Sequence, residues 1–255
     1  MNQMEKAALL RALHVPGEPL VLPNVWDAAS AQVVESAGFP VIATGSAAIA
    51  RVLGYSDGEG TPVAEMMAAI KRIAASVGVP VTADVERGYG LAPADLAERL
   101  SEAGAVGCNI EDTDSAAGAM VDPAEQAGFI AALRAADADL VINARVDSFL
   151  HGSPTPEEQL ADAVERGRLY RDAGADCVYP IFVSDRDAIG TLVKELGGPV
   201  NVLFRPGVAG IAELAALGVA RVSYGHGLHA AAQEFTTRMV AAIRAGESPY
   251  PPPQD

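Results

Sequence analysis

The sequence predicts an α/β protein built as a single (β/α)8 barrel of the TIM type, and three observations carry that reading. Eight short apolar runs alternate with Ala-rich helical patterns along the chain. The runs are almost continuously hydrophobic, as strands of a parallel sheet covered by helices should be. No Ser/Gly-rich linker divides the 255 residues, 50% of which are hydrophobic, so the length suits one large core. A doubly wound open sheet fits less well, because the turn after the first run, LPNVWDAAS, lacks a glycine fingerprint.

In chain order, a lead-in helix is expected over residues 3–13. The eight strands are expected at residues 20–23, 41–44, 81–84, 106–111, 140–145, 177–182, 200–203 and 221–224. Helix starts are marked by Asp27 before AASAQVVESAG, Thr61-Pro62, Asp122-Pro123 with Glu125, Thr155-Pro156 with Glu158, and Ser184 before DRDAIGTLVKEL. Gly38, Gly78, Gly104, Gly174 and Gly218 stand where helices should stop. The whole of 1–255 reads as one domain ending in a Pro-rich tail.

Charge excludes some partners. A formal net charge of -15 with only 18 Lys+Arg argues against nucleic acid and anionic membranes, which draw on clustered basic residues. The N-terminal MNQMEKAALLRALHV has no signal-peptide core and no apolar run approaches a membrane span, so a cytoplasmic protein is expected. Cys108 and Cys177 sit inside apolar runs without CxxC or Cys/His spacing and read as buried reduced thiols.

In a (β/α)8 barrel the chemistry lies at the C-terminal strand ends. Successive runs deliver Asn24, Trp26 and Asp27; Thr44, Gly45 and Ser46; Asp84 and Glu86; Asn109, Glu111 and Asp112; Asn143, Arg145 and Asp147; Tyr179; Asn201 and Arg205; and Ser223, Tyr224 and His226. Asp27 reads as a helix cap, and Asp112 and Asp147 as caps or supports of the site. In VTADVERGYG, Asp84 and Glu86 lie two apart and project to one side if the strand continues, which suits half of a site for a hard cation such as Mg²⁺. Glu111 and Asp57, the latter in GYSDGEG, extend this acidic set, with the cation held mostly through waters. Arg145 faces it as a guanidinium fork for a substrate carboxylate. Together they describe a site for a small oxygen-rich acid, most simply a 2-oxo acid or its enolate.

Other chemistries find less support. Lys6, Lys71 and Lys194 all fall on predicted helices, so no strand end offers an amine for a Schiff base. No GxSxG elbow appears. Of His14, His151, His226 and His229, only His226 is placed to reach the barrel mouth, either as a catalytic group or as a loop histidine satisfied by backbone.

The motifs LPNVWDAASAQVVESAGFPVIATGSAAIA, GYSDGEG, TADVERGYG, NIEDTD and NARVD fall in this order at successive strand ends. From Val21 to Gly225 they resemble the isocitrate lyase / phosphoenolpyruvate mutase superfamily, particularly its short phosphonomutase-like members. The resemblance implies a barrel whose last helix is exchanged between subunits of a homodimer or homotetramer. It places the direct Mg²⁺ carboxylate on Asp84, with Mn²⁺ as a possible substitute, and the water-mediated ones on Asp57, Glu86 and Glu111. It places the substrate-binding loop on Thr44, Gly45 and Ser46 and the carboxylate-binding arginine on Arg145; Trp26, at the first strand end, is a further substrate-binding candidate. Arg145, Glu111 and His226 are the candidate catalytic residues.

Two positions depart from the family pattern. Glu86 stands where an Asp is usual. After NIED, where family lyases carry a mobile Lys-Lys-Cys-Gly loop with a proton-donating cysteine, this chain reads TDSAAGAMV, without a thiol and without the Lys of the mutases and hydrolases. The expectation is a Mg²⁺-dependent lyase or decarboxylase of a small 2-oxo or 2-hydroxy acid, acting through an enolate-like intermediate stabilised by the Gly45 and Ser46 amides. A phosphorus–carbon bond enzyme and a dicarboxylate-binding protein without turnover are the alternatives. Thr113 to Ala127 is expected to act as a lid over the mouth.

Overall fold

All eight apolar runs form parallel strands: Leu20–Leu22 continuing past Pro23 into Asn24–Val25, then Ile42–Thr44, Val81–Asp84, Gly107–Glu111, Val141–Val146, Cys177–Pro180, Asn201–Leu203 and Arg221–Ser223. The structure is a computed structural model and describes residues 1–250; the Pro-rich tail at 251–253 lies outside the described residues. Strand pairing gives two arcs, one running from Asn24–Val25 to the sixth strand and one joining the first, eighth and seventh. The first run belongs to both arcs. At the other seam Val178 pairs in parallel with Val200, and the Val178 N–H donates to the Pro199 carbonyl at 3.0 Å, so the ring closes as a barrel.

The lead-in helix, Gln3–Ala12, is capped by Asn2 through a reciprocal pair with Glu5. Its Ala7 and Leu10 are buried with Leu20, Leu22, Val41, Ala43, Val106 and Val141, so the helix plugs the N-terminal mouth of the barrel. Gly107 makes this possible, since a Cβ there would stand 2.7 Å from Leu10 Cδ2. Outside the strands, helices bury faces such as Met66, Ile70 and Ile73, or Leu96 and Leu100, in the main core.

Caps follow the sequence at Asp27, Asp122 and Thr155, each accepting a hydrogen bond from a first-turn amide. Two starts differ by one residue. Asp185, whose carboxylate accepts from the Ala188 amide, displaces Ser184 as a cap, and Pro62 rather than Thr61 precedes the Val63–Ala75 helix. Gly104 ends its helix with φ 80°, a left-handed turn that glycine adopts freely. The three lysines all lie on helices, as expected.

Three elements were not anticipated: the Ser46–Leu53 helix, the short Ser148–His151 helix, and an antiparallel pair, Thr113–Asp114 with Ala119–Met120. The last helix, Gly227–Ala245, buries only His229, leaving Phe235, Val240 and Ile243 at 51%, 59% and 60% exposure. Among the described residues no helix is long and apolar enough to cross a membrane.

Candidate active site

The C-terminal strand ends open into a cavity of about 890 Å³, lined near the strands by Asn24, Gly45, Ser46, Asp57, Asp84, Asn109, Arg145, Tyr179, Ser223 and His226. A smaller recess of about 160 Å³ shares Ser46, Asp57 and Arg145 and adds Glu86, Glu111, Thr113, Ser115 and His151. All four candidate metal carboxylates therefore face this joint space.

They reach it differently from the sequence expectation. The third strand stops at Asp84, and Glu86 adopts φ +50°, so a left-handed turn rather than strand alternation brings Glu86 round. Asp84 Oδ2 accepts from the Ser46 amide at 3.0 Å and the Ser46 hydroxyl at 2.9 Å, while the Asp84 amide donates to Thr44 Oγ1 at 2.9 Å. Glu86 is buried and accepts from the Glu59 amide at 2.5 Å and the Tyr89 hydroxyl at 2.8 Å. Glu59 in turn accepts from the Tyr89 amide, which locks the GYSDGEG loop onto the third-strand turn.

The acids repel one another. Burial pushes the Glu86 carboxyl up to about 7, against its two hydrogen bonds and helped by Asp57 and Asp84. Burial and the Asp84 charge raise Asp57. Burial also raises Glu111 well above the carboxylate range, despite Arg145.

Arg145 is already committed. Its Nε and Nη2 bind Asp147 at 2.6 and 2.8 Å as a bidentate fork, and its Nη1 meets Glu111 at 2.5 Å. Asp147 is fully buried and also accepts from Thr113 Oγ1 at 2.6 Å, while its amide donates to Asp112. Asp112 is held by Arg166 and Tyr170, so Asp112 and Asp147 support the site from below. Arg145 thus presents one remaining N–H on each terminal nitrogen rather than an open fork.

Other expectations are revised by the packing. The Gly45 amide donates to the Val25 carbonyl at 3.1 Å and the Ser46 amide to Asp84, so neither is free for an enolate oxygen. Thr44 is buried and orients Asp84 instead of touching the cavity. Trp26 lies outside the lining, its ring 5.0 Å from that of His229 in an edge contact. His226 lines the cavity, exposed at the start of the last helix and without a side-chain cap hydrogen bond. His151 also reaches the acidic recess, because the short helix after the fifth strand folds back over it. The proposed lid is an ordered pair of strands as far as Met120, its turn held by Asp114 accepting from the Ala116 and Ala117 amides, and residues 123–127 belong to the Pro123–Ala136 helix.

Both cysteines are buried, free, and pushed up to about 12 by burial, so neither supplies a thiolate. Arg221, which no sequence motif marks, is wholly buried in the barrel interior with Nη2 donating to Asn109 Oδ1 at 3.0 Å. Its strand-start position gave no sign that it points inward beneath the cavity.

Residues 10–244 match the phosphoenolpyruvate phosphomutase family model. An oxaloacetate decarboxylase of Rhodopseudomonas palustris strain HaA2 is 31% identical over 262 residues, covering 98% of this chain and 88% of that protein. A Burkholderia cenocepacia J2315 crystal structure provisionally named a phosphonomutase is 40% identical with TM-score 0.88, covering 93% of this chain and 99% of the other. Oxaloacetate acetylhydrolase bound to its product oxalate superposes with TM-score 0.85 at 25% identity, covering 98% and 90% of the two chains. With the whole barrel matched and its strand-end acids gathered at one mouth, the chain belongs to the phosphoenolpyruvate phosphomutase family, within the PEP mutase/isocitrate lyase superfamily of lyases and mutases.

Proposed function

We propose that this chain is a Mg²⁺-dependent lyase or decarboxylase of a 2-oxo or 2-hydroxy acid. The observation that carries the reading is the convergence of Asp57, Asp84, Glu86 and Glu111 on one space, where burial and mutual repulsion raise three of them. A divalent cation relieves that repulsion, and hard carboxylate oxygens suit Mg²⁺. Among the described residues no three such groups are close enough to hold a metal directly. Asp84 would be the direct ligand, with the other acids reaching the ion through water. When bound, the ion supplies Lewis-acid polarisation of the 2-oxo acid.

The chain's own residues do the rest. Arg145, fixed by Asp147 and Glu111, offers its two outward N–H groups to the substrate carboxylate. His226 at the cavity lip donates a proton to the carbon that loses CO₂, after the broken C–C bond has left its electron pair in the enolate. The pair of strands at Thr113–Met120 stands beside the recess through Ser115 and Thr113 and limits water there. The oxaloacetate decarboxylase and oxaloacetate acetylhydrolase relatives favour carbon–carbon cleavage. Likeness to the Burkholderia structure keeps a phosphorus–carbon enzyme as the second reading.

Steady-state assays of oxaloacetate, methylisocitrate and phosphonopyruvate, with Mg²⁺ or with chelator, separate the readings. Turnover of a carbon acid only with Mg²⁺ supports the first, phosphonopyruvate turnover the second, and binding without turnover a dicarboxylate-binding protein. The exposed apolar residues of Gly227–Ala245 also fit exchange of this helix between subunits of a dimer or tetramer, which light scattering on the purified protein tests.

A further inference from the structure

Arg221 lies wholly inside the barrel, and its guanidinium has no carboxylate partner among the described residues. Nη2 donates to Asn109 Oδ1 at 3.0 Å, while Nε and Nη1 meet no hydrogen-bond partner. Burying a cation without a counter-ion is costly, and nothing in the mechanism above uses this one. Its hydrogen bond goes to a residue that lines the active-site cavity. That contact fixes Asn109. Arginine carries donors only, so the Asn109 atom that faces it must be the amide oxygen. Asn143 Nδ2 donates to the same oxygen at 2.8 Å. With Oδ1 taken by two donors from within the barrel, Asn109 Nδ2 is left without a protein partner and turned to the cavity.

Asn109 stands in register with Asp84 on the neighbouring strand, so this amide nitrogen emerges at the end of the cavity where Asp84 does. Other neutral donors there are spent. Asn24 donates to the Thr44 carbonyl and accepts from the Tyr224 amide, the Ser46 hydroxyl donates to Asp84, and the Ser223 hydroxyl donates to Asn201. The Gly45 and Ser46 amides are taken as well. The Tyr179 hydroxyl also lines the cavity, but it can rotate to donate or accept, whereas Asn109 Nδ2 only donates.

We propose that Asn109 is a further catalytic residue, its Nδ2 donating to the substrate oxygen that gathers negative charge as the enolate forms, and that Arg221 is the positioning residue that holds Asn109 in the donating orientation. The inference rests on the 2-oxo acid reading above and adds the side chain that takes the place of the occupied Gly45 and Ser46 amides. Such a donor acts most strongly when the oxygen is charged, so it favours the enolate over the ketone. The competing role for Arg221 is to fill the barrel interior or to act on bound anions by its charge alone. Neither alternative passes through the Asn109 amide.

The test is calorimetric titration of oxalate, a planar dianion that stands in for the enolate, and of pyruvate, which carries the uncharged ketone, each with Mg²⁺ present. Asn109→Ala should weaken oxalate by about tenfold to a hundredfold and pyruvate by less than about threefold. Oxalate affinity within about twofold of the parent in that variant overturns the proposal. Arg221→Met should weaken oxalate in the parent background and change it by less than about twofold in the Asn109→Ala background, because the arginine then has no amide to orient. Equal losses in both backgrounds overturn the positioning role. If a truncation does not fold, side-chain amide nuclear magnetic resonance of the unaltered protein decides. The Asn amide pair missing from Asn109→Asp, which keeps both contacts to Arg221 and Asn143, should move downfield when oxalate and Mg²⁺ bind, and a pair that stays in place overturns the proposal. Failure of the underlying 2-oxo acid reading looks different: the unaltered protein then binds neither oxalate nor pyruvate with Mg²⁺, which overturns the Asn109 proposal as well.

Discussion

Replacing Arg145 by Lys separates binding from scaffolding at the centre of the site. The guanidinium makes three short charge-assisted contacts, two to Asp147 and one to Glu111, all in a nearly dry environment. An ammonium keeps its charge but cannot span both carboxylates, so about two of these contacts are lost. At ~1–2 kcal/mol net for each, the folded state should lose about 2–4 kcal/mol, for which the thermal midpoint of a domain this size falls by roughly 5–15 °C. If the outward N–H groups also hold the substrate carboxylate, oxalate affinity should fall by about 1.5–3 kcal/mol in parallel. Differential scanning calorimetry and oxalate titration with Mg²⁺, run side by side, read both quantities. A lowered midpoint with unaltered oxalate affinity means that Arg145 is purely structural. A midpoint within about 1 °C of the parent refutes the reasoning, because the ion pairs then contribute nothing.

The metal-free protein should lose stability as pH rises from about 4.5 to 7, because Glu86, at about 7, holds its proton in the folded state after the unfolded chain has released it. His14, buried and lowered to about 4, works in the opposite sense below pH 6.5, so the difference between the parent and Glu86→Gln is the informative curve. A parent–variant difference that stays flat across that range removes the effect. Leu10→Ala should cost about 2–5 kcal/mol in chemical denaturation by opening the barrel plug while leaving oxalate binding intact, and a cost under about 1 kcal/mol argues against the plug. Hydrogen exchange at Thr113–Met120 should slow when oxalate and Mg²⁺ bind, and unchanged protection at saturation shows a fixed element rather than a lid.

The barrel was legible because parallel strands covered on both sides must be apolar at nearly every position, a pattern seen at Leu20–Leu22 and Cys177–Pro180 alike. Strand-end position also located Asp84 and Arg145, since the fold fixes where those residues emerge. What the sequence hid depends on turns and on pairing. Glu86 reaches the recess through a left-handed residue, His151 through a short helix that folds back, and Trp26 turns towards His229. Nothing in the NARVD motif showed that Asp147 would occupy the fork of its neighbour two residues away. Nor could composition distinguish Arg145, paired twice, from Arg205, which has no carboxylate partner among the described residues, because partners come from other strands and loops.

The central claim is a Mg²⁺ site built on Asp84 that presents the ion to a 2-oxo acid. Calorimetric titration of Mg²⁺ into the parent protein and Asp84→Ala, each with and without oxalate, tests it most directly. The parent should bind Mg²⁺, and oxalate should tighten that binding, since each ligand then raises affinity for the other. Asp84→Ala should show no Mg²⁺ heat and no metal-dependent oxalate binding while keeping its fold by circular dichroism. Mg²⁺ affinity that survives the substitution unchanged, or oxalate binding indifferent to Mg²⁺ in the parent, contradicts the account.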